Sequence, residues 1–550
     1  MGPFIEKLKQ VGFEGEVDDS QATRQAYSHD ASLFEIMPQL VVYPKSEADL
    51  QKLVAGAVQL KKQMPNLSLT ARSAGTCMSG GAINDSVIVD FRRYLTAIES
   101  VDELSAKVQP GALYREFEAA TLRHGALLPS FPASRELATV GGMVANDAGG
   151  EKSLEFGKTE NFVEQLRVVL GDGQPHLLKA LNRQELEAKM SAGDFESQLC
   201  QQLFKLIEAN YDRIKAAKPR VSKNSTGYNL WDVWDRQSGV FDLTKLFVGS
   251  QGTLGLISDI KFRLVHDKPH SGVLVVFMKN LNGLGELINT VVAAKPASFE
   301  AFDNHTLTTA IKFFPYFHKN LGWNGLIKLG FQLLPDALLL FKGIPKMVLL
   351  IEFTGRTPQE VKTQVHAMKL ALGPYKLEAT EEDNTEAKAW KFRIMRRESF
   401  NLLRQKVKDK HTAPFIDDLV VPPQHLVEFL PRLQAIIKKY DLLATIAGHM
   451  GDGNFHVIPL MKIEDPKERA KLAPAMREVN QLVLSYGGSL SGEHNDGLIR
   501  GPWLEQMYGP EIVKLFREVK RIFDPQNIFN PHKKTDANWQ YSMDHVRQKF

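Results

Sequence analysis

The chain carries a glycine-rich run, Ala71-Arg-Ser-Ala-Gly-Thr-Cys-Met-Ser-Gly-Gly-Ala82, directly after residues 67–71, which alternate in polarity like a β-strand. Glycines and small hydroxylated residues leave backbone N–H groups exposed, and such groups can converge on an anion. Arg72 adds a fixed positive charge. The spacing matches neither the dinucleotide-binding fingerprint nor the Walker loop. On this run alone, a phosphate cradle and a surface turn are equally good interpretations.

Two further runs of small residues favour the cradle. They are Pro132-Ala-Ser-Arg-Glu-Leu-Ala-Thr-Val-Gly-Gly-Met-Val-Ala-Asn-Asp-Ala-Gly-Gly150 and Gly249-Ser-Gln-Gly-Thr-Leu-Gly255. A large ligand threaded through a domain requires close backbone approach at several loops, and glycine permits it. Chance surface turns do not require so many small side chains between apolar strands. The runs therefore predict a nucleotide cofactor.

Strands and helices alternate along the chain in two blocks, one ending near residue 263 and the other starting near residue 271. Ser46, with Asp49 three residues later, is typical of a helix N-cap with an acidic first turn. This alternation predicts two sheet-and-helix domains of the α/β or α+β class. The predicted elements are strands at 40–44, 67–71, 86–90, 273–277 and 347–353, and helices at 46–62, 281–295 and 510–529.

Near the C-terminal end, two segments carry candidate metal ligands. They are Gly448-His-Met-Gly-Asp-Gly-Asn-Phe-His456 and Ser491-Gly-Glu-His-Asn-Asp-Gly497. Two imidazoles and one carboxylate, with coordination positions left open, are a common way to hold a catalytic divalent metal. Zinc, iron and manganese all suit this set of ligands. The predicted ligands are His449, His456 and Glu493, with a further imidazole at His494.

The composition excludes several classes of protein. At 550 residues the chain is too long for a single core, and its 43% of hydrophobic residues is ordinary for a globular protein. Its 68 basic and 64 acidic side chains nearly cancel, which argues against a nucleic-acid-binding protein. The two cysteines, Cys77 and Cys200, are too few for an iron–sulfur cluster or a disulfide framework, so we expect a reducing compartment.

The chain is expected to be cytoplasmic. Its first ten residues carry charges where a signal peptide has an apolar core, and no stretch has the length of a spanning helix. Residues 320–342 form an apolar, partly aromatic segment interrupted by Pro335. Two buried helices explain this segment, and contact with a membrane surface is the alternative.

Taken in order, these motifs resemble the FAD-dependent vanillyl-alcohol-oxidase superfamily, which has an FAD-binding domain of the PCMH type. The similarity is greater to the branch of D-lactate dehydrogenases, glycolate oxidase subunits and D-2-hydroxyglutarate dehydrogenases, and it extends from Pro38 to Lys534. It implies an α+β fold with a two-part FAD-binding domain, an α+β substrate or cap domain and a C-terminal helical return. The implied divisions are an N-terminal arm (1–37), the FAD-binding domain (38–268), the substrate domain with the metal site (269–505) and a C-terminal segment on the FAD domain (506–550).

The resemblance also implies where FAD binds. Members with covalently bound flavin in the first glycine-rich run have a histidine after the glycine pair, where this chain has Ala82, so non-covalent FAD is implied. The implied FAD-binding residues are Arg72, Ser73, Gly75, Thr76, Met78, Ser79, Gly80, Gly81, Pro132, Gly141, Gly142, Ala145, Asn146, Gly149, Gly157, Gly252, Thr253, Ile257 and Asn530.

In the chemistry implied by the resemblance, His449, His456 and Glu493 bind a metal, with zinc favoured, and His494 is the catalytic base. The metal would bind the 2-hydroxyl group and one carboxylate oxygen of a 2-hydroxy acid and lower the pKa of the hydroxyl. His494 would take the hydroxyl proton while the hydride on C2 passes to flavin N5.

An arginine is expected to bind the substrate carboxylate through two hydrogen bonds. The candidates are Arg393, Arg396 and Arg397, and Arg393 matches the Trp-x-x-Arg spacing of the family. The hydroxyglutarate members have a lysine and an asparagine where this chain has Ile416 and Ile458. Both differences remove groups that would bind a distal carboxylate. D-lactate is therefore favoured as the substrate, with D-2-hydroxyglutarate and glycolate as alternatives.

Electrons are expected to leave the reduced flavin for quinone or an electron-transfer protein, because the chain has no nicotinamide fingerprint and too few cysteines for a cluster. Peripheral contact of residues 320–342 with the cytoplasmic face of the inner membrane, and a homodimer, are further expectations. One alternative is a flavin subunit of a larger complex. The related alkyl-glycerone-phosphate synthases are another, but they depend on a dense histidine cluster that is not found in this sequence.

Overall fold

A computed structural model describes residues 1–304, 308, 344–375, 377–382 and 409–548. The candidate arginines, Arg393, Arg396 and Arg397, lie outside these residues, as does the apolar segment 320–342. Within the described ranges, no helix is both long enough and apolar enough to cross a membrane.

The first sheet positions the first glycine-rich run. Its strands are predominantly apolar and buried, and three of them run parallel. The helix Glu47–Leu60 connects two of these strands, and the Ser46 side chain caps it by accepting a hydrogen bond from the N–H of Asp49, as the sequence predicts. In spatial order the strands are Glu16–Asp18, Leu40–Tyr43, Val87–Asp90 and Leu69–Arg72.

A second sheet is antiparallel, and the other two glycine-rich runs contribute residues to the apolar cluster packed on it. The run at 249–255 leads directly into its strand Leu256–Arg263. In spatial order the described strands are Trp234–Asp235, Val240–Asp242, Pro175–Leu181, Val163–Val169, Leu256–Arg263, Ser105–Val108 and Ile98–Val101, and a separate pair joins Ala126–Leu127 to Val265–His266.

The third sheet carries the candidate histidine ligands. It is antiparallel. Its central strands are buried on both faces, so their side chains are mostly apolar. In spatial order the described strands are Glu378–Glu382, His270–Met278, Met347–Gly355, Ser298–Asp303, Leu443–His449, Asn454–Met461 and His411–Thr412, and Leu419–Val420 also pairs with Asn454–Met461.

The helices pack on these sheets in two groups. Those packed against the third sheet include Leu284–Ala293, Pro358–Ala371, Leu426–Lys439 and Leu472–Ser485. The helix Leu504–Phe523 packs instead against the apolar cluster of the second sheet, so the C-terminal part returns to the first half of the chain. The remaining described α-helices are Gly2–Gln10, Gln21–Ala26, Tyr114–Leu122, Val140–Asn146, Ser153–Phe156, Arg183–Met190, Phe195–Ala209, Tyr211–Ala216, Thr244–Phe247, Pro466–Arg469, Gly497–Arg500 and Trp539–Asp544.

The predicted elements agree with these bounds except at the C-terminal helix. That helix begins before the predicted residue 510, bends at Gly509, where φ is 75°, and ends at Phe523. It ends there because the Asp524 carboxylate accepts the backbone N–H groups of Ile528 and Phe529. Residues 524–529 are therefore not helical. Two antiparallel sheets, a first sheet with three parallel strands and the helices packed on them confirm the α+β class. The domain boundaries stay a prediction.

Candidate active site

The candidate ligands His449 and His456 lie on one β-hairpin. Strand Leu443–His449 pairs with Asn454–Met461, and Ala447 stands opposite His456. Opposite residues of an antiparallel pair share a face, as do residues two apart on one strand. The two imidazoles therefore project from the same face, with ring centroids 5.4 Å apart.

Each imidazole of the site has a carboxylate at its Nδ1 atom. Glu300 stands opposite His449 on the neighbouring strand, and its Oε1 lies 2.5 Å from Nδ1 of His449. Asp417 places Oδ1 3.3 Å from Nδ1 of His456 and Oδ2 2.7 Å from Nδ1 of His494. The contacts of His449 and His456 are hydrogen bonds, whereas the contact of His494 is a close ion pair that lacks hydrogen-bond alignment. In each case the carboxylate favours a proton on Nδ1, which leaves the lone pair on Nε2, where a metal or a proton can bind.

Glu493 lies where a third ligand would stand. Its Oε1 is 3.4 Å from Nε2 of His449, and its Oε2 is 3.9 Å from Nε2 of His456. Two ligands that each lie about 2.1 Å from a tetrahedral ion are roughly 3.4 Å apart. The buried ammonium of Lys223 lies 2.6 Å from Oε1 of Glu493 and 3.0 Å from Oδ2 of Asp452. These residues fit a divalent cation, and their role as ligands stays a prediction.

A second grouping of donors places Asp418 with His456, Glu493 and His494, with one ligand atom of each within 4.8 Å of the others. Asp418 already accepts four hydrogen bonds, three at Oδ2 and one, from Asn454, at Oδ1. The three at Oδ2 come from the Ser491 hydroxyl and from the backbone N–H groups of Glu493 and His494. A carboxylate with its lone pairs occupied in this way is a poor metal ligand.

The charges of the site depend on these contacts. Burial opposes ionisation of Glu493, but Lys223 and His449 outweigh it and hold the pKa of Glu493 well below its ordinary value. Burial also opposes a charge on His494, but Asp417 and Asp418 raise the pKa of His494 to about 9. A cation bound at Glu493 would lower the pKa of His494, because two positive charges close together repel each other.

A cavity of about 330 Å³ connects the glycine-rich runs to this cluster. His456, Glu493 and His494 lie in its wall, together with the first, second and third runs of small residues. Gly81 permits close approach of two loops in this wall, because a Cβ added there would lie 2.6 Å from Nε2 of Gln251. The predicted FAD-binding residues in the wall are Ser73, Gly75, Thr76, Met78, Gly81, Pro132, Gly141, Gly142, Ala145, Asn146, Gly149, Gly252 and Ile257.

Other predicted residues lie behind the wall in the part of the chain that the structure describes. Arg72 directs its guanidinium at the carbonyl oxygens of Tyr27, His29 and Ala82. Asn530 donates from Nδ2 to the carbonyl oxygens of Gly81 and Gln251, so it connects two of the loops. The residues behind the wall are Arg72, Ser79, Gly80, Gly157, Thr253 and Asn530, and His449 also stands outside the wall.

Five residues of the site are absent from the sequence-based prediction: Glu300, Asp417, Asp418, Lys223 and Gln251. Gln251 donates from Nε2 to Oγ of Ser79 and accepts the N–H of Gly497 at Oε1, so it connects the first loop to the Glu493 segment. A signal was available for Glu300, because a carboxylate inside an apolar buried strand requires a partner. The others have partners that are distant in sequence.

Two family models match most of the chain. Residues 38–178 match the model of an FAD binding domain, and residues 268–534 match the C-terminal domain of FAD linked oxidases. The match to the first domain includes the first two glycine-rich runs, and the match to the second includes both candidate ligand segments.

Curated relatives are similar over most of this chain. A D-2-hydroxyglutarate dehydrogenase of Pseudomonas putida is 28% identical over 96% of this chain and 51% of its own length. The glycolate oxidase subunit GlcD of Bacillus subtilis is 26% identical over 96% of both chains. A D-lactate dehydrogenase of Archaeoglobus fulgidus is 26% identical over 90% of both. The chain thus spans about half the length of several D-2-hydroxyglutarate dehydrogenases that it matches.

Solved structures share the fold. A 4-ethylphenol oxidase from Gulosibacter chungangensis has a TM-score of 0.68 and 14% identity, covering 98% of both chains. An alkyldihydroxyacetonephosphate synthase has a TM-score of 0.65 and 16% identity, covering 97% of this chain and 85% of that one. The chain belongs to the FAD-linked oxidases, with an FAD binding domain followed by an FAD linked oxidase C-terminal domain on a fold of the vanillyl-alcohol-oxidase type, and it is related to the D-2-hydroxyacid dehydrogenases.

Proposed function

We propose that this chain oxidises a D-2-hydroxy acid to the 2-oxo acid with FAD and a divalent metal. The observation that carries the proposal is that the glycine-rich loops and the cluster of His456, Glu493 and His494 lie in the wall of the same cavity. A substrate bound at the cluster would lie beside a cofactor bound along the loops. Direct contact supports this: Nδ2 of Asn146, in the second loop, donates to the carbonyl oxygen of Glu493 at 2.8 Å.

The protein groups have separate roles in this proposal. When bound, FAD supplies a hydride acceptor and the divalent ion, with zinc favoured, supplies a Lewis acid. His494 accepts the hydroxyl proton at Nε2, and Asp417 keeps its ring in the tautomer that can do so. Glu300 orients His449 in the same way. The arginine for the substrate carboxylate is proposed among Arg393, Arg396 and Arg397.

We favour D-lactate as the substrate because the cavity wall is apolar beside the cluster of candidate metal ligands. Ile458 stands two residues after His456 on the same strand, so its side chain is on the same face and lies in the cavity wall. Ile416 is buried in the core of the third sheet. Neither residue can bind a distal carboxylate.

D-2-hydroxyglutarate is the second candidate substrate, because a relative that is 28% identical over most of this chain carries that name. Glycolate is a third, from the relative named as a glycolate oxidase subunit. That relative also motivates the alternative that the chain acts within a larger complex.

Further parts of the proposal concern the cofactor and the acceptor. Ala82 lies in the cavity wall and has no nucleophilic group, which favours non-covalent FAD. Quinone or an electron-transfer protein is the proposed acceptor. A cytoplasmic location, peripheral contact with the inner membrane and a homodimer are proposed from the sequence alone.

The first prediction concerns reduction of the flavin. Under anaerobic conditions, D-lactate bleaches the flavin absorbance quickly, whereas L-lactate does so slowly because its C2 hydrogen faces away from the flavin. A chelator abolishes the bleaching and Zn²⁺ restores it. Stopped-flow absorbance measures both effects. Bleaching that survives complete removal of the metal contradicts the metal requirement, and faster bleaching by D-2-hydroxyglutarate contradicts the preferred substrate.

The second prediction separates the two binding sites. His456→Ala is expected to lose the metal and keep FAD. Removal of a residue that only hydrogen-bonds to a metal ligand lowers metal affinity about 10- to 100-fold, and removal of a ligand itself should lower it further. Ala145→Phe keeps metal and loses FAD, because its ring fills the cavity. Elemental analysis and flavin absorbance of the purified variants measure the contents. His124→Ala, at an exposed position, is the matched control; retention of metal by His456→Ala would refute the assignment.

The third prediction concerns the substrate. Ile458→Asn raises kcat/KM for D-2-hydroxyglutarate relative to D-lactate by about tenfold, because a hydrogen bond to a charged group is worth roughly 1.5–3 kcal/mol. Steady-state assays with an artificial dye acceptor give both ratios. Ile458→Val changes the size of the side chain but adds no polar group, so it serves as the control. An unchanged ratio in Ile458→Asn would show that this wall does not select the substrate.

A further inference from the structure

Asp417 is a buried carboxylate that two imidazoles share. Its side chain is fully buried, and Oδ1 lies 3.3 Å from Nδ1 of His456 while Oδ2 lies 2.7 Å from Nδ1 of His494. The two rings are stacked, with centroids 5.1 Å apart and an interplanar angle of 27°. The stacking presents both Nδ1 atoms to one carboxylate.

The backbone around Asp417 is held in place. Nη2 of Arg500 donates to the carbonyl oxygen of Asp417 at 2.7 Å. The next residue, Asp418, has a φ of 66° and accepts the N–H groups of Glu493 and His494. A non-glycine residue keeps such a backbone conformation only where its surroundings enforce it. Asp417 is therefore a fixed point relative to both imidazoles.

We propose that Asp417 is a positioning residue that couples the metal ligand His456 to the base His494. The inference rests on the proposed function, in which His456 binds the cation and His494 accepts the hydroxyl proton. Each ring that donates its Nδ1–H to Asp417 keeps its lone pair on Nε2. A carboxylate has one oxygen for each ring. Oδ1 accepts a hydrogen bond from His456, and the negative charge at Oδ2 favours a proton on Nδ1 of His494, so both rings are held in the competent tautomer at the same time.

Asparagine at this position would have the same shape but only one acceptor oxygen. Its NH₂ group would face the second ring, which would then accept at Nδ1 and carry its proton on Nε2. A proton on Nε2 blocks metal binding at His456 or proton transfer at His494. Alanine would remove the acceptor from both rings. A merely structural role for Asp417 predicts neither effect, only a lower midpoint of thermal unfolding.

The test uses the full-length holoprotein and compares Asp417→Asn and Asp417→Ala with the wild type. Affinity for Zn²⁺ is measured by competition with a chelator, and the rate of flavin bleaching by the 2-hydroxy acid is measured at saturating Zn²⁺. Asp49→Asn and Asp49→Ala are the matched controls. Asp49 is likewise fully buried, and its carboxylate accepts the backbone N–H groups of Glu14 at 2.9 Å and Lys45 at 3.0 Å.

We expect Asp417→Ala to lower both the Zn²⁺ affinity and the saturated rate, each by about 10- to 100-fold, and Asp417→Asn to lower at least one of them. The Asp49 variants should change neither. If the wild type binds Zn²⁺ but Asp417→Ala loses only one quantity or none, the coupling is wrong and the proposed function stands. If the wild type binds no Zn²⁺, or Zn²⁺ does not affect bleaching, the proposed function itself is overturned and the coupling with it.

Discussion

The carboxylate of Asp418 is the contact on which the arrangement of the site depends. It accepts hydrogen bonds from Asn454 on the histidine hairpin and from Ser491 and the backbone of Glu493 and His494. The hairpin and the Glu493 segment are separate in sequence, and this buried group joins them. Loss of the carboxylate would leave the backbone N–H groups of Glu493 and His494 without this acceptor, which is costly in free energy.

The joined segments are then held against the cofactor loops by polar contacts. Lys223 is 1% exposed and connects Glu493 to the turn at Asp452 and to the carbonyl oxygen of Gly150, at the end of the second glycine-rich run. Gly149, the preceding residue, leaves room for the close approach, because a Cβ there would lie 3.3 Å from Cγ of Glu493. Candidate metal ligands and cofactor loops therefore form one polar network rather than two adjacent sites.

Local patterns were sufficient to predict much of this arrangement. The N-cap at Ser46 and the apolar run at 347–353 predicted a helix and a strand because their signals lie within a few residues. The carboxylates at the imidazole Nδ1 atoms could not be predicted in the same way. Glu300 and His449 are 149 residues apart, and Lys223 and Glu493 are 270 apart, so only the sheet register and the loop packing bring them together. The end of the C-terminal helix was misplaced because the Asp524 side chain competes with the helix for backbone N–H groups.

In the proposed function, the histidine cluster and the glycine-rich loops form one redox site. Anomalous X-ray diffraction at the zinc absorption edge, from crystals of the FAD-loaded protein with Zn²⁺, tests it directly. Zinc held by the proposed ligands would give a peak about 2.0–2.2 Å from Nε2 of His449, Nε2 of His456 and an oxygen of Glu493, beside flavin density in the cavity. A peak at other residues, or no peak beside a fully occupied flavin, would contradict it.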